Sequence, residues 1–370
     1  MRPPEEERAW EVVRRAYEER TPQPRHARSR VLIPVLVVLA AAIVAAVLSP
    51  PGRAVFERVR QAVGVEHADP ALFSLPAPGR LLVVSTDGGG VWLVRDNGFK
   101  RKLGGFADAQ WSPHGLFAVA TTRNHLLALD ADAHVRWTLA RAGASLPRWA
   151  GTLTDTRIAY LARSGLRVVG GDGRGDRLLD STAAQVAPAW VPGGSFDLAY
   201  VSGSGTIVRR DAVTGAVRWR RQADLRPLSL EWSDDGRLLA VTSANRVVVL
   251  GSDGHVVRTI GALSATQLAS AFRPHSHELA VSVRLGSRSE LKLVDVDHPG
   301  RARLRFAGPG RFGDVVWSPD GTTLLVDWPT ANQWVFLRGS KVHAVANIRE
   351  EFPRADDVPP RLLVAGRWSR

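Results

Sequence analysis

The hydrophobic rhythm of the chain changes twice. In the first 30 residues apolar positions recur at helical spacing, with Ala9, Trp10, Val13, Ala16 and Tyr17 on one face. Glu5, Glu6 and Glu7 open this segment and Arg20 closes it, the order that favours a helix dipole, and Pro22 and Pro24 stop it. Val31 to Leu48 then runs for 18 residues without a charge, within the roughly 17–25 that a bilayer span needs. Pro34 sits in its first turn, where a missing N–H costs little. Ser49-Pro50-Pro51-Gly52 ends it. A second short amphipathic helix is predicted from Pro51, with Val55, Phe56, Val59, Ala62 and Val63 sharing a face, and Glu66 to Pro78 reads as a linker.

From about residue 80 the period becomes that of strands and turns. Trp111-Ser112-Pro113-His114-Gly115, Trp232-Ser233-Asp234-Asp235-Gly236 and Trp317-Ser318-Pro319-Asp320-Gly321 each lead into a short apolar strand and then a second one. Degenerate copies begin at Trp149, Trp190 and Phe272. The anchors at 111, 149, 190, 232, 272 and 317 are spaced by 38, 41, 42, 40 and 45 residues, the length of one four-stranded propeller blade at about 40–45. The motif has a physical reason: the aromatic ends an inner strand and packs between blades. Gly115, Gly236 and Gly321 supply the positive φ of the turn that follows. Both faces of each sheet would then be buried, which explains strands that are almost wholly apolar.

The two ends of this region complement one another. Leu81-Leu82-Val83-Val84 and Val91-Trp92-Leu93-Val94 look like middle strands with no inner strand before them. Leu362-Leu363-Val364-Ala365 runs into Trp368-Ser369 with no strands after it. The C-terminal segment is therefore expected to supply the inner strand of the first blade and protect its open edge. The expectation is an all-β, seven-bladed β-propeller over 80–370. Before it come a tail (1–30), a transmembrane helix (31–48) and a juxtamembrane helix with linker (49–79).

These repeats resemble the TolB-type propeller repeat of the WD40-like superfamily. Asp172-Gly173-Arg174-Gly175-Asp176-Arg177-Leu178-Leu179 is similar to that family's turn between outer strands, and Asp96-Asn97-Gly98 is a shorter version. The Gly-His and Trp-Asp pairs of true WD40 blades are missing. Asp211 to Trp219 resembles a quinoprotein blade motif, and Ser85-Thr86-Asp87-Gly88-Gly89 to Trp92 an Asp-box turn. The layout of short tail, single span and propeller resembles actinobacterial-type membrane proteins, some of which accompany sigma factors.

Composition sharpens this picture. The chain has no Cys, which removes disulfides, thiolate metal sites and Cys catalysis. The net charge is +13, from 49 Lys and Arg against 36 Asp and Glu. That excess favours polyanions such as acidic head groups or anionic envelope polymers, and no nucleic-acid partner is expected. A cleaved secretory signal is disfavoured, because six Glu precede the apolar run and the run exceeds the usual 7–15 residues. Arg25, Arg28 and Arg30 before the run, against Arg53, Arg58 and Arg60 offset by Glu57 after it, set a mild positive-inside bias. The tail is expected in the cytoplasm and the propeller outside.

Little chemistry is legible. There is no His-Glu-x-x-His, Gly-x-Ser-x-Gly or phosphate loop. Gly171, Gly173 and Gly175 lack a following helix and read as a turn. His275, His277 and Glu278 suggest a metal, but they occupy a turn position and no further ligand can be placed. Asp172 and Asp176 are too few for Ca²⁺. The expectation is a non-enzymatic binding or scaffold module for protein or envelope ligands, without cofactor or metal. A transmembrane regulator whose tail holds a sigma factor and an extracytoplasmic hydrolase or lyase stand as alternatives.

Overall fold

The computed structural model describes residues 74–77, 79–85, 90–261, 265–298, 300, 302–352 and 362–363. The predicted tail helix, the apolar run 31–48, the short helix after it, the turn at 86–89 and Trp368 lie outside the described residues. Among the described residues no helix is long and apolar enough to cross a membrane.

Seven four-stranded antiparallel sheets make up the described region. Blade 1 holds Arg80–Ser85, Gly90–Arg95 and Lys100–Gly104, with Leu362–Leu363 beside its first strand. Blades 2 to 7 span 108–140, 145–180, 189–222, 229–261, 265–309 and 315–346. In blades 2 to 6 the strand that opens the blade lies innermost and touches its counterpart in the next blade. Because neighbouring strands are antiparallel, the turns between strands one and two and between three and four share one face of the wheel. The other turns and the crossovers share the opposite face.

The apolar residues sort into seven clusters, one at each boundary between consecutive blades. One joins Leu81, Val83 and Val94 of blade 1 to Leu325, Trp334 and Phe336 of blade 7, so apolar contact closes the ring. The short helix Ile348–Glu351 adds Ile348 to this seam, and Phe352 behind it meets Trp92 edge-on, with ring centroids 5.8 Å apart. Burial on both faces explains why the second strands of blades 4, 5 and 7 are buried along their whole length.

The anchor aromatics are buried in the seams and end their inner strands, except Trp149, whose strand runs on to Gly151. The Trp190 indole Nε1 donates to the carbonyl of Arg148 at 2.8 Å, Trp232 to Ala189 at 3.2 Å and Trp317 to Ala271 at 3.3 Å. Each acceptor is the residue just before the preceding blade's anchor. Further out, Trp137 and Trp219 donate to the Gly171 and Ser252 carbonyls, both at 2.9 Å, in the outer turns of the next blades. A side chain at Gly254 would meet the Trp219 ring at 3.0 Å.

The serine after the anchor locks the inner turn. Ser233 and Ser318 are fully buried. Each accepts from the backbone N–H five residues on, at 3.0 and 2.9 Å, and donates to Asp235 at 2.6 Å and Asp320 at 2.5 Å. Ser112 accepts from Phe117 in the same way. Gly115, Gly236 and Gly321 have φ of 66°, 71° and 65°, where a side chain is disfavoured. Ser318→Ala removes the hydroxyl that accepts from the buried Thr323 N–H and is expected to cost about 1–3 kcal/mol. That loss should appear as a lower urea midpoint with unchanged slope, while Ser204→Ala on an exposed turn stays within about 0.5 kcal/mol.

Candidate functional site

Blade 6 departs from the serine-locked turn. Arg273 stands where Ser112, Ser233 and Ser318 stand in their blades. It reaches forward instead, donating to the Gly321 carbonyl of blade 7 at 2.8 Å and to Glu278 at 3.2 Å. Its own turn takes another course. The left-handed residue is His275, with φ of 57°, one position earlier than the glycine of the locked turns. His275 and His277 are thereby brought against blade 5.

Three imidazoles here make four pairs with carboxylates. The backbone N–H of His275 donates to Asp234 at 2.7 Å, and its Nδ1 lies 2.9 Å from the same carboxylate. His277 bridges two elements: Nδ1 is 2.7 Å from Asp297 and Nε2 is 3.0 Å from Asp235. His298 Nδ1 lies 3.0 Å from Asp295. With Ser276 these side chains line an open cleft of about 670 Å³ across the boundary of blades 5 and 6. An imidazole donates from both nitrogens only when protonated. Burial works against that charge, but the hydrogen bonds and charges of Asp235 and Asp297 outweigh it and raise the His277 pKa. Burial also works against the Asp235 charge, yet bonds from Ser233, Arg237 and His277 hold its pKa below the usual value.

The residues picked out from sequence separate in space. Glu278 is turned to Arg273 and Arg303, while both ring nitrogens of His277 face carboxylates. Among the described residues no three or more His, Asp or Glu side chains are arranged to hold a metal. Asp172 accepts the Arg174 N–H inside its own turn at 3.0 Å. Asp176 receives the guanidinium groups of Arg141 and Arg167 and, at 2.7 Å, the Tyr160 hydroxyl. Burial opposes its charge, and these donors still lower its pKa. Asp172 thus serves its own turn, and Asp176 ties its blade to Arg141 of the blade before. Sequence reasoning passed over Asp295, Asp297 and His298. The signal was available: His275 and His277 lie 41 and 42 residues beyond Asp234 and Asp235, one repeat length.

Nearer the axis, the backbone N–H groups of Trp149 and Phe272 are capped by the side chains of Gln110 and Glu231 in the preceding blades, at 2.6 and 3.3 Å. Asp108 is buried there. Burial raises its pKa, and the nearby charge of Arg148 counteracts part of that rise.

No family model matches the sequence, and no curated protein matches it either. Solved structures do. The chain is similar to the β-propeller domain of Cps50 (Swd1) from Myceliophteria thermophila, at 15% identity and a TM-score of 0.53, over 72% of this chain and 98% of that one. It is similar to a chain of a mitotic checkpoint complex, at 18% identity and 0.56, over 75% and 92%. A 6-phosphogluconolactonase candidate from Bacteroides uniformis matches at 16% and 0.54, over 73% and 95%. At these identities the likeness shows the fold, a seven-bladed β-propeller.

The His277 bridge makes stability depend on pH. Its raised pKa stabilises the fold fully below the unfolded value, near 6.5, and loses that effect as pH rises through the folded value. The lowered pKa of Asp235 acts in the opposite sense, contributing above about pH 4 and failing on acidification. The gap in thermal midpoint between the native chain and His277→Gln is therefore expected to be widest near pH 5–6 and to narrow on either side. A gap that is flat from pH 4 to 9 would refute the bridge.

Proposed function

We propose that this chain is a membrane-anchored binding and scaffold module whose propeller presents its turn faces to a partner protein outside the cytoplasm. The observation that carries the binding reading is the cleft at the boundary of blades 5 and 6. There the repeat is broken, and carboxylates and imidazoles are set on rigid β-turns at an open surface. The similarity to propellers of a mitotic checkpoint complex and of Cps50 (Swd1) supports a partner protein over a small molecule. The 18-residue apolar run 31–48 supports the anchor, with the tail 1–30 in the cytoplasm.

The same reading has the C-terminal segment complete blade 1. Leu362 and Leu363 pair antiparallel with Ser85 and Val84. Trp190, Trp232 and Trp317 each find a carbonyl in the blade before theirs, while the Nε1 groups of Trp111 and Trp149 have no hydrogen-bond partner among the described residues.

Two outcomes test these readings. A reporter active only outside the cytoplasm, fused after Arg370, is expected to be active, and the full chain should recover a stoichiometric partner from envelope extract. Asp234→Asn with Asp297→Asn should lose that partner; recovery of none by the native chain would count against the module. Deleting residues 362–370 leaves an open sheet edge and is expected to lower the thermal midpoint by about 5 °C or more, which differential scanning calorimetry would read.

A further inference from the structure

Charge is sorted on this wheel beyond what composition requires. The first-to-second and third-to-fourth turns carry Asp96, Asp132, Asp172, Asp234, Asp253 and Asp320, among others. The outermost strands carry almost the reverse. In chain order the seven of them hold three, one, one, three, one, two and one Lys or Arg, against the single acid Asp180. The whole chain has 49 basic and 36 acidic residues, so an unsorted rim would be nearly balanced.

Two ordinary explanations account for part of this. Charged residues on edge strands prevent edge-to-edge pairing between molecules, but either sign would serve that purpose. Some rim cations also tie blades together. Arg221 donates to the Gly254 carbonyl at 3.1 Å, Arg258 to the Asp295 carbonyl and Arg305 to the Gly339 carbonyl. A carbonyl accepts the hydrogen bond without cancelling the charge. Carboxylates do cancel others, as in Arg101–Asp132, Arg218–Asp211 and Arg303–Glu278. Lys102, Arg177 and Arg220 are exposed, in three different blades, and none is in an ion pair with a described carboxylate.

We propose that this basic rim binds a flexible linear phosphate polymer that runs around the wheel from one outer strand to the next. The cations are distributed around the circumference rather than gathered in one sector. A bilayer is planar and could engage only the sector that faces it, whereas a flexible chain can follow the curve. The exposed side chains of Lys102, Arg177 and Arg220 offer such a chain one uncancelled contact in each of blades 1, 3 and 4. Counterion release from the polymer supplies the affinity, which makes binding steeply dependent on salt. The inference does not rest on the anchor, on the side of the membrane or on the blade 5–6 cleft.

The test uses the full chain and long-chain inorganic polyphosphate, titrated by fluorescence anisotropy between 50 and 200 mM salt. The logarithm of the binding constant should fall linearly with the logarithm of salt. The triple variant Lys102→Gln, Arg177→Gln, Arg220→Gln should keep its thermal midpoint, bind about tenfold or more weakly at 0.1 M salt, and show a slope smaller by about two. Arg237→Gln, on the carboxylate-rich turn face, should bind as the native chain does. No binding at 50 mM salt, or equal binding by native chain and triple variant, overturns the proposal. Equal binding to polyglutamate overturns the phosphate specificity. Tighter binding to phosphatidylglycerol vesicles or to single-stranded RNA overturns the choice of polymer. Because the readout needs no protein partner and no membrane, it can fail while the envelope pull-down succeeds, and the reverse.

Discussion

The seam between neighbouring blades is the contact on which the rest of this structure depends. A single twisted four-stranded sheet of largely apolar residues leaves both faces exposed to water and cannot stand alone. Stacking it against a second sheet buries one face, and only a closed ring buries all of them. The seam of blades 4 and 5 shows its parts: an apolar cluster, the anchor Trp232 at the end of an inner strand, and hydrogen bonds from side chains of one blade to the backbone of the other. The indole bond from Trp232 to Ala189 and the guanidinium bond from Arg273 to Gly321 do the same work with different chemistry.

The seams fix the inner and outer strands, and bonds within the turns lock the turns between them. That rigidity lets a change within one turn become a site. Where serine closes the turn, as at Ser233 and Ser318, its hydroxyl keeps the following Asp folded inward. Where Arg273 replaces it, the left-handed residue moves to His275 and His277 reaches both Asp235 and Asp297. The cleft at blades 5 and 6 is therefore a local departure from the repeat, supported by seams on either side that keep to it. The carboxylates of the turns and the cations of the outer strands follow from the same geometry, since those are the parts of a blade that remain in water.

The described part of the fold was largely legible in advance because its signal is periodic. An aromatic anchor repeated near every forty residues, three times within a full Trp-Ser-x-x-Gly unit, means that one supersecondary unit is reused, and the six buried anchors lie where that spacing put them. The site was less legible. His275 and His277 were visible as a broken motif, but Glu278, their neighbour in sequence, faces Arg273 and Arg303. Their actual partners lie in the preceding blade and in a later turn of their own.

Sequence alone determined the unit, its length and its aromatic and glycine landmarks. It also marked the uncharged run that precedes them, because burial and turn geometry are constraints on residue type at a given spacing. The tertiary structure decided which polar side chains meet. Contacts across a seam join residues about one repeat apart, such as Trp190 and Arg148 or His277 and Asp235. The direction a side chain takes across that gap depends on a turn whose course a single residue can change. Local pattern encodes the blade, but the neighbour that a blade's surface residues face exists only once the ring has formed.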